Sequence, residues 1–342
     1  MKAMVLKKIS DLTGNRSPLQ LADLPVPAPA GGEILIKVTV CGVCHTELDE
    51  IEGRTPPPRL PVVLGHQIVG RVEKLGPGAG KFRTNDRVGV AWIHSACGKC
   101  GFCRTGQENL CDGFRATGRD ADGGYAEYTI VGEAFAYPIP EVFSDAGAAP
   151  LLCAGAIGCR SLRLAGIRDG DRVGLTGFGA SAHIVLQMVR HLHPASRVFV
   201  FSRTEAERSF ARELGAVWAG DMQEAAPENL HTIIDTTPAW TPVVHALRNL
   251  EKGGRLVINA IRKEDRDKDA LRELQYERDL WMEKEIKSVA NITRQDVAEF
   301  LPLAAKMGIK PEVQEYPLEE ANRALLELKE RKVRGAKVLR IG

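Results

Sequence analysis

The chain has 342 residues, a formal net charge of +2, a hydrophobic fraction of 44% and a charged fraction of 26%. That length exceeds one compact core and predicts two domains, while the near-neutral charge gives no electrostatic case for nucleic acid or an anionic membrane as partner. No apolar run is long enough to span a bilayer, and Met1 to Ser10 carries Lys2, Lys7 and Lys8 without an apolar signal core. A cytoplasmic location is therefore expected, where eight cysteines point to metal or catalysis rather than disulfides.

From Met1 to about Val40, short β-like runs alternate with turns. Pro25, Pro27 and Pro29 break one run, and Gly31-Gly32 precedes the β-branched run Ile34 to Val40. This predicts an irregular antiparallel β domain. The stretch Cys41-Gly42-Val43-Cys44-His45-Thr46-Glu47-Leu48-Asp49 reads as the start of a short helix. Leu64-Gly65-His66-Gln67 leads into a β run over Ile68 to Leu75, and Val88 to Trp92 is strand-like again.

That strand delivers the chain to its densest chemical signal. Cys97, Cys100, Cys103 and Cys111 form a Cys-x2-Cys-x2-Cys-x7-Cys tetrad. Four thiolates this close can converge on one tetrahedral ion, and zinc prefers sulfur ligands in such closed sites. An iron–sulfur cluster competes, because the first three cysteines share ferredoxin spacing; the last gap is longer, however, and Asp112 rather than proline follows Cys111. A disulfide pair is the bland alternative. Four-cysteine closure leaves no position for a substrate, so a reaction would need another centre.

Past the tetrad, Tyr125 to Val131 predicts a strand, and Ser144 can cap a helix that Asp145 favours at its positive end. Ala146 to Arg160, which contains Cys153, reads as one closely packed helix. From about Asp171 strands and helices alternate. Arg172 to Thr176 is a strand, followed by Gly177-Phe178-Gly179-Ala180-Ser181-Ala182 and an amphipathic helix through His191. Arg197 to Phe201 is the next strand, and Thr204 can cap a helix carrying Glu205, Glu207 and Arg208. Thr232 to Asp235 and Arg255 to Ala260 complete the pattern of a doubly wound parallel sheet. The charge-dense run Arg262 to Lys287 is expected as solvated helix and loop on the surface. Beyond Asn291, two helical patterns and a strand over Lys337 to Ile341 suggest a return to the first domain.

The glycine-rich turn between strand and helix suits a dinucleotide. Gly177 permits the tight turn, Gly179 lets backbone approach a pyrophosphate, and Ala182 allows close helix–strand contact. Gly177, Gly179, Ala180 and Ser181 are thus the expected phosphate contacts at a helix N-terminus. At the end of the second strand, Phe201 is followed by Ser202-Arg203, without the carboxylate that usually reads an NAD ribose. Ser202 and Arg203 can bind a 2′-phosphate, which puts NADP(H) ahead of NAD(H). The remaining thiols include Cys41 and Cys44, and two cysteines with one histidine form a known catalytic zinc set to which Cys44 and His66 can contribute. A Cys41–Cys44 redox pair and a merely structural His66 are the competing readings.

Four matches, in order, identify a resemblance: Cys44-His45-Thr46, Gly65-His66, the Cys97 to Cys111 tetrad, and the Gly177 to Ala182 turn. Over nearly its whole length the chain resembles the zinc-dependent alcohol dehydrogenases of the medium-chain dehydrogenase/reductase superfamily. The resemblance implies a GroES-like β-rich catalytic domain over 1–153, completed by 291–342, and a Rossmann-type domain over 154–290. It implies two zinc ions per chain, a catalytic one on Cys44, His66 and Cys153 and a structural one on the tetrad. Thr46 matches the hydroxyl that relays the alcohol proton, Glu47 the carboxylate that orients the histidine ligand, and His45 a residue near the cofactor pyrophosphate. Trp92 matches a bulky pocket wall suited to small alcohols. Gln67 stands where the family usually has glutamate, and Asp49 where many members complete the proton relay with histidine. The implied reaction is reversible oxidation of a small primary or secondary alcohol to an aldehyde or ketone, in a cleft between the domains of a homo-oligomer, a tetramer ahead of a dimer. A zinc-free quinone or enoyl reductase on the same scaffold and a non-enzymatic zinc-ribbon module are the alternatives.

Overall fold

The chain divides into two units, residues 1–153 with 293–342 and residues 154–292. The structure is a computed structural model that describes residues 1–330 and 335–342. In chain order the first unit opens with β1 (Lys2–Leu6), β2 (Leu19–Asp23), β3 (Glu33–Val43), α1 (His45–Ile51), β4 (Val62–Val63), β5 (Ile68–Leu75) and β6 (Arg87–Val90). It continues with β7 (Ile93–Ser95), α2 (Gly101–Arg104), β8 (Arg115–Ala116), β9 (Tyr128–Gly132), β10 (Ala136–Pro138) and α3 (Asp145–Ala148). All pairings among these strands are antiparallel. The central strand β3 is eleven residues long and mostly buried, because β-branched residues from Ile34 to Val43 fill both of its faces. Its core neighbours include Leu6, Leu64, Ile68 and Tyr125, all fully buried. Each such aliphatic side chain contributes about 1.5–3 kcal/mol of transfer free energy.

The segment Ala146 to Arg160 is not the single helix expected. Pro150 lacks the N–H that would continue the ladder, so α3 passes into a tight turn over Ala149–Leu152. Cys153 then leaves helical geometry at φ −126°, ψ −78°, and α4 (Ala154–Ala165) begins in the second unit. Ser144 caps α3 by accepting from the Gly147 N–H at 3.1 Å.

The second unit continues with β11 (Arg172–Thr176), α5 (Ala180–Leu192), β12 (Arg197–Phe201), α6 (Glu205–Glu213), β13 (Trp218–Gly220), β14 (Leu230–Asp235), α7 (Thr241–Asn249), β15 (Leu250–Ile258) and β16 (Glu285–Ser288). Its six strands are all parallel, in the order β13-β12-β11-β14-β15-β16. Connectivity therefore reverses between β11 and β14, and in open sheets of this kind ligands bind outside the carboxyl ends of the strands at that point. Arg262 to Lys287 is mostly exposed, as expected, but is not only helix and loop. It contains a 3₁₀ turn at Lys268–Glu273 and a π turn at Tyr276–Leu280 and leads into the edge strand β16, and Asp279 and the side chain of Lys263 are buried.

The chain returns to the first unit through α8 (Arg294–Met307), β17 (Val313–Pro317), α9 (Ala321–Lys329) and β18 (Ala336–Arg340). Strand β18 runs antiparallel to β3, with Leu339 opposite Cys41 and Lys337 opposite Val43. The C-terminal strand thus braces the end of β3 that delivers Cys44 to α1. Among the described residues no helix is long and apolar enough to cross a membrane.

Candidate metal and cofactor sites

Three backbone features aim three side chains of the first unit at one point. Cys44 sits where β3 hands over to α1, and Cys153 sits at the break after Pro150. His66 follows Gly65, whose φ is +95°. A Cβ at Gly65 would lie 2.4 Å from the Tyr125 ring and 2.8 Å from Cys41 Sγ, so only glycine fits that turn. One ligand atom from each of Cys44, His66 and Cys153 lies within 4.8 Å of the others.

Glu47 binds two parts of this cluster. Its Oε2 accepts from the Cys44 backbone N–H at 2.7 Å, as a glutamate at the third helical position does in a capping box. Its Oε1 lies 2.6 Å from His66 Nδ1. That bond commits Nδ1–H to Glu47, so the ring would meet a metal ion through Nε2. Nε2 is buried and has no hydrogen-bond partner. Without a metal, burial lowers the His66 imidazole pKa but Glu47 and Cys44 outweigh it and raise it well above its usual range, which favours a proton on Nε2; a metal ion between the two thiols would take that proton's place. The Cys44 thiol is held well below its usual range, first by the hydrogen bond from Cys153 and also by His66, against the effect of burial. The cost of this sharing falls on Cys153, which is pushed well up by Cys44 and by burial.

The neighbours of this cluster separate into those that touch it and those that do not. Thr46 Oγ1 is 3.6 Å from Cys44 Sγ. Asp49 accepts from Arg54 Nε at 2.5 Å. His45 is exposed at the start of α1. Gln67 is buried, and its carbonyl accepts from the Gly42 N–H at 2.9 Å. Trp92 stacks on Phe114 with centroids 4.9 Å apart, and its indole N–H is buried without a partner. Cys41 is fully buried, its thiol pushed well up by burial first and then by Glu47, which is the opposite of a reactive redox cysteine.

The tetrad is built locally. Cys97, Cys100, Cys103 and Cys111 also bring their sulfur atoms within 4.8 Å of one another, and all eight cysteines are free thiols. Backbone N–H groups aim at these sulfurs: Cys100 at Cys97 (3.4 Å), Cys103 at Cys100 (3.5 Å) and Gly113 at Cys111 (3.3 Å). Donors from Lys99 and Cys100 bring the Cys97 thiol down to about 6, whereas desolvation and then Cys100 push Cys103 up to about 12. Four converging sulfurs fit a closed metal site.

In the second unit Gly177 has φ +78° and donates its N–H to the Phe201 carbonyl at 2.8 Å, continuing the β11–β12 pairing into the turn that leads to α5. A Cβ on Gly177 would meet Thr236 and Thr237 at 2.9 Å, whereas one on Gly179 would meet nothing within 4 Å. Gly179 therefore faces open space at the start of α5, where Ala180 leads and Ala182 is fully buried. The Ser181 hydroxyl is turned inward and donates to the Ala154 carbonyl at 3.1 Å, leaving its backbone N–H as the group available to a phosphate. Ser202 is buried at the end of β12 and donates to Glu207, and Arg203 is exposed.

These features match known proteins. The family model for the alcohol dehydrogenase GroES-like domain matches residues 30–141. The Mycobacterium tuberculosis (strain CDC 1551 / Oshkosh) protein named "Probable alcohol dehydrogenase AdhA" is 42% identical over 329 residues, covering 95% of this chain and 93% of that protein. This chain belongs to the alcohol dehydrogenase family of the medium-chain dehydrogenase/reductase superfamily. An alcohol dehydrogenase of Geobacillus stearothermophilus is 30% identical over 350 aligned positions, covering 100% of both. A crystal structure titled as an NAD-dependent alcohol dehydrogenase superposes with a TM-score of 0.89 at 25% identity, covering 100% of both chains.

Three features of this alcohol dehydrogenase family member escape sequence reasoning. Glu50 on α1 is buried with neither carboxylate oxygen bonded, and burial, then the charge of Glu47, pushes its pKa well above the carboxylate range. Lys263 reaches from the charge-dense run to the fully buried Asp235, and it also donates to the carbonyls of Thr237 (2.7 Å) and Ala239 (3.1 Å). Asp235 in turn accepts from Thr176 Oγ1 at 2.5 Å, tying together the carboxyl ends of β11 and β14. The third feature is the pairing of Ser202 with Glu207. Only the last had a visible signal, the Thr204-x-x-Glu207 spacing of a capping box.

Proposed function

We propose that this chain catalyses the reversible oxidation of a small primary or secondary alcohol to an aldehyde or ketone, with hydride passing to a nicotinamide dinucleotide. The observation that carries the reading is the orphaned His66 Nε2 beside Cys44 and Cys153, with Nδ1 committed to Glu47. Two cysteines and one histidine are a donor set for catalytic zinc that leaves a coordination position unfilled. Zinc held there supplies Lewis acidity toward the substrate oxygen. The tetrad Cys97, Cys100, Cys103 and Cys111 is proposed to hold a second, structural zinc.

The chain's own residues divide the remaining work. Cys44, its thiol held well below its usual range by Cys153 and His66, is the sulfur of the pair that more readily gives up its proton to a metal. Glu47 fixes the tautomer and the angle of His66. Thr46 Oγ1 takes up the hydroxyl proton of the alcohol. Asp49, three residues on along the same helix face and paired with Arg54, is its next acceptor. Trp92 limits the size of the alcohol. Gly177, Gly179, Ala180 and the Ser181 N–H receive the pyrophosphate, to which His45 is also assigned. The exposed Arg203 favours NADP(H), and Ser202 joins it only where its hydroxyl is released from Glu207. A second reading, NAD(H), is supported by the Glu207 carboxylate beside Ser202. A cytoplasmic homotetramer completes the proposal, and sedimentation velocity measures its size.

The test is alcohol oxidation with NAD⁺ and NADP⁺ by protein of measured metal content. Two zinc ions per chain and turnover that falls as the second is stripped are expected. Undiminished turnover at one zinc per chain would instead support the zinc-free reductase.

A further inference from the structure

The end of β12 carries an anomaly that concerns which dinucleotide is bound. Helix α6 opens with Thr204-Glu205-Ala206-Glu207, the spacing of a capping box. Half of the box forms, with Thr204 Oγ1 accepting from the Glu207 N–H at 3.2 Å. In the return half, the third-position carboxylate should accept from the cap residue's N–H. This chain does so at two other helices: Glu47 accepts from the Cys44 N–H at 2.7 Å, and Asp296 from the Thr293 N–H at 2.8 Å. At α6 the carboxylate is diverted. Glu207 Oε2 accepts from the buried Ser202 hydroxyl instead.

The diversion is held in place from the other side. Arg208 Nη1 donates to the carbonyls of Ser202 (2.8 Å) and Arg203 (3.2 Å), while its Nε is paired with Glu205 at 2.9 Å. Ser202 is thus pinned by its backbone, and Glu207 stays at the strand end. A serine hydroxyl has a single proton to donate, and here Glu207 receives it.

We propose that Glu207 sets the discrimination between NAD(H) and NADP(H), by presenting to the adenosine ribose a carboxylate that α6 supplies in place of the strand end. The inference rests on the dinucleotide reading of the Gly177 turn. A carboxylate there accepts hydrogen bonds from the ribose 2′- and 3′-hydroxyls and repels a 2′-phosphate. It also occupies the Ser202 proton that a phosphate would use. Arg203, exposed beside it, acts in the opposite sense by attracting a 2′-phosphate. The preference of the chain is the balance of these two residues, and Glu207 is the weight against NADP(H).

The experiment measures dissociation constants for NADH and NADPH by nucleotide fluorescence on the zinc-loaded full chain, for wild type, Glu207→Gln and Ser202→Ala. Glutamine keeps an acceptor for Ser202 and removes the charge, so thermal unfolding of Glu207→Gln should match wild type. Neutralising a like charge beside the phosphate raises the NADPH-over-NADH affinity ratio by at least about tenfold in Glu207→Gln. Ser202→Ala keeps the carboxylate and shifts the ratio less. A ratio within about twofold of wild type in Glu207→Gln overturns the proposal, as does an equal or larger shift in Ser202→Ala. Wild type binding neither nucleotide overturns the dinucleotide reading itself, and this inference with it.

Discussion

Cys97, Cys100, Cys103 and Cys111 come from one loop and leave Cys97 exposed, whereas Cys44, His66 and Cys153 come from three distant places and hold His66 fully buried. The first cluster is arranged by its own backbone, whose N–H groups point at the sulfurs. The second is arranged by the domain around it. It needs the end of β3, a turn that only Gly65 can make, and the break that Pro150 forces before Cys153. Metal on the local cluster would substitute for a missing core, whereas metal on the dispersed cluster would be held by a core that already exists. The two should therefore fail in different ways.

The largest effect should come from Cys44→Ser. Loss of Lewis acidity worth several kcal/mol should lower turnover by about a thousandfold or more, with dinucleotide affinity held within about threefold. Retained turnover would break the assignment of the dispersed cluster. Cys103→Ser should show the opposite split: zinc per chain falls from two to one, the melting temperature drops, and turnover per remaining catalytic zinc stays near wild type. If calorimetry found Cys44→Ser as destabilised as Cys103→Ser, the division between local and core-held sites would not stand.

A smaller effect is expected from Glu47→Gln, which weakens the bond to His66 Nδ1 and the capping contact to Cys44. Metal affinity at the dispersed cluster should fall by about 10- to 100-fold, and titration with a chelator should leave the tetrad's metal unchanged. The smallest concerns Glu50 in zinc-stripped protein. Its folded pKa is raised well above 4.5 by burial and by Glu47. The unfolded chain then ionises first as pH rises, so the stability Glu50 allows is full below about 4.5 and is lost toward its higher folded value. Glu50→Gln removes that loss, so its melting temperature should gain steadily on wild type as pH rises above about 4.5. A difference that does not change with pH would mean that Glu50 is compensated.

Legibility followed the range of the forces involved. Strands β5, β11 and β12 begin and end where their β-branched runs do, and Ser144 and Thr204 cap helices as their side chains allow. The parallel sheet was legible because strand and helix alternate with glycine turns between them. The break at Cys153 is not legible in the sequence, although Pro150 is visible, because small residues on either side suit a helix. A run of charges is usually solvated and predicts Lys263 at the surface, yet two backbone carbonyls and a buried carboxylate draw it inward.

The sequence by itself determined the tetrad, since four thiols within one loop need only local turns to meet. It determined the glycine turn between β11 and α5 as well, because Gly177 and Gly179 act through their own backbone. Only the tertiary structure decided that Cys44, His66 and Cys153 share a point, that Glu47 orients the imidazole, and that Glu207 leaves its helix cap for Ser202. Spacing along a chain constrains neighbours a turn or two apart. Side chains dozens of residues apart meet only where packing, burial and the need to satisfy every buried polar group leave them no other place.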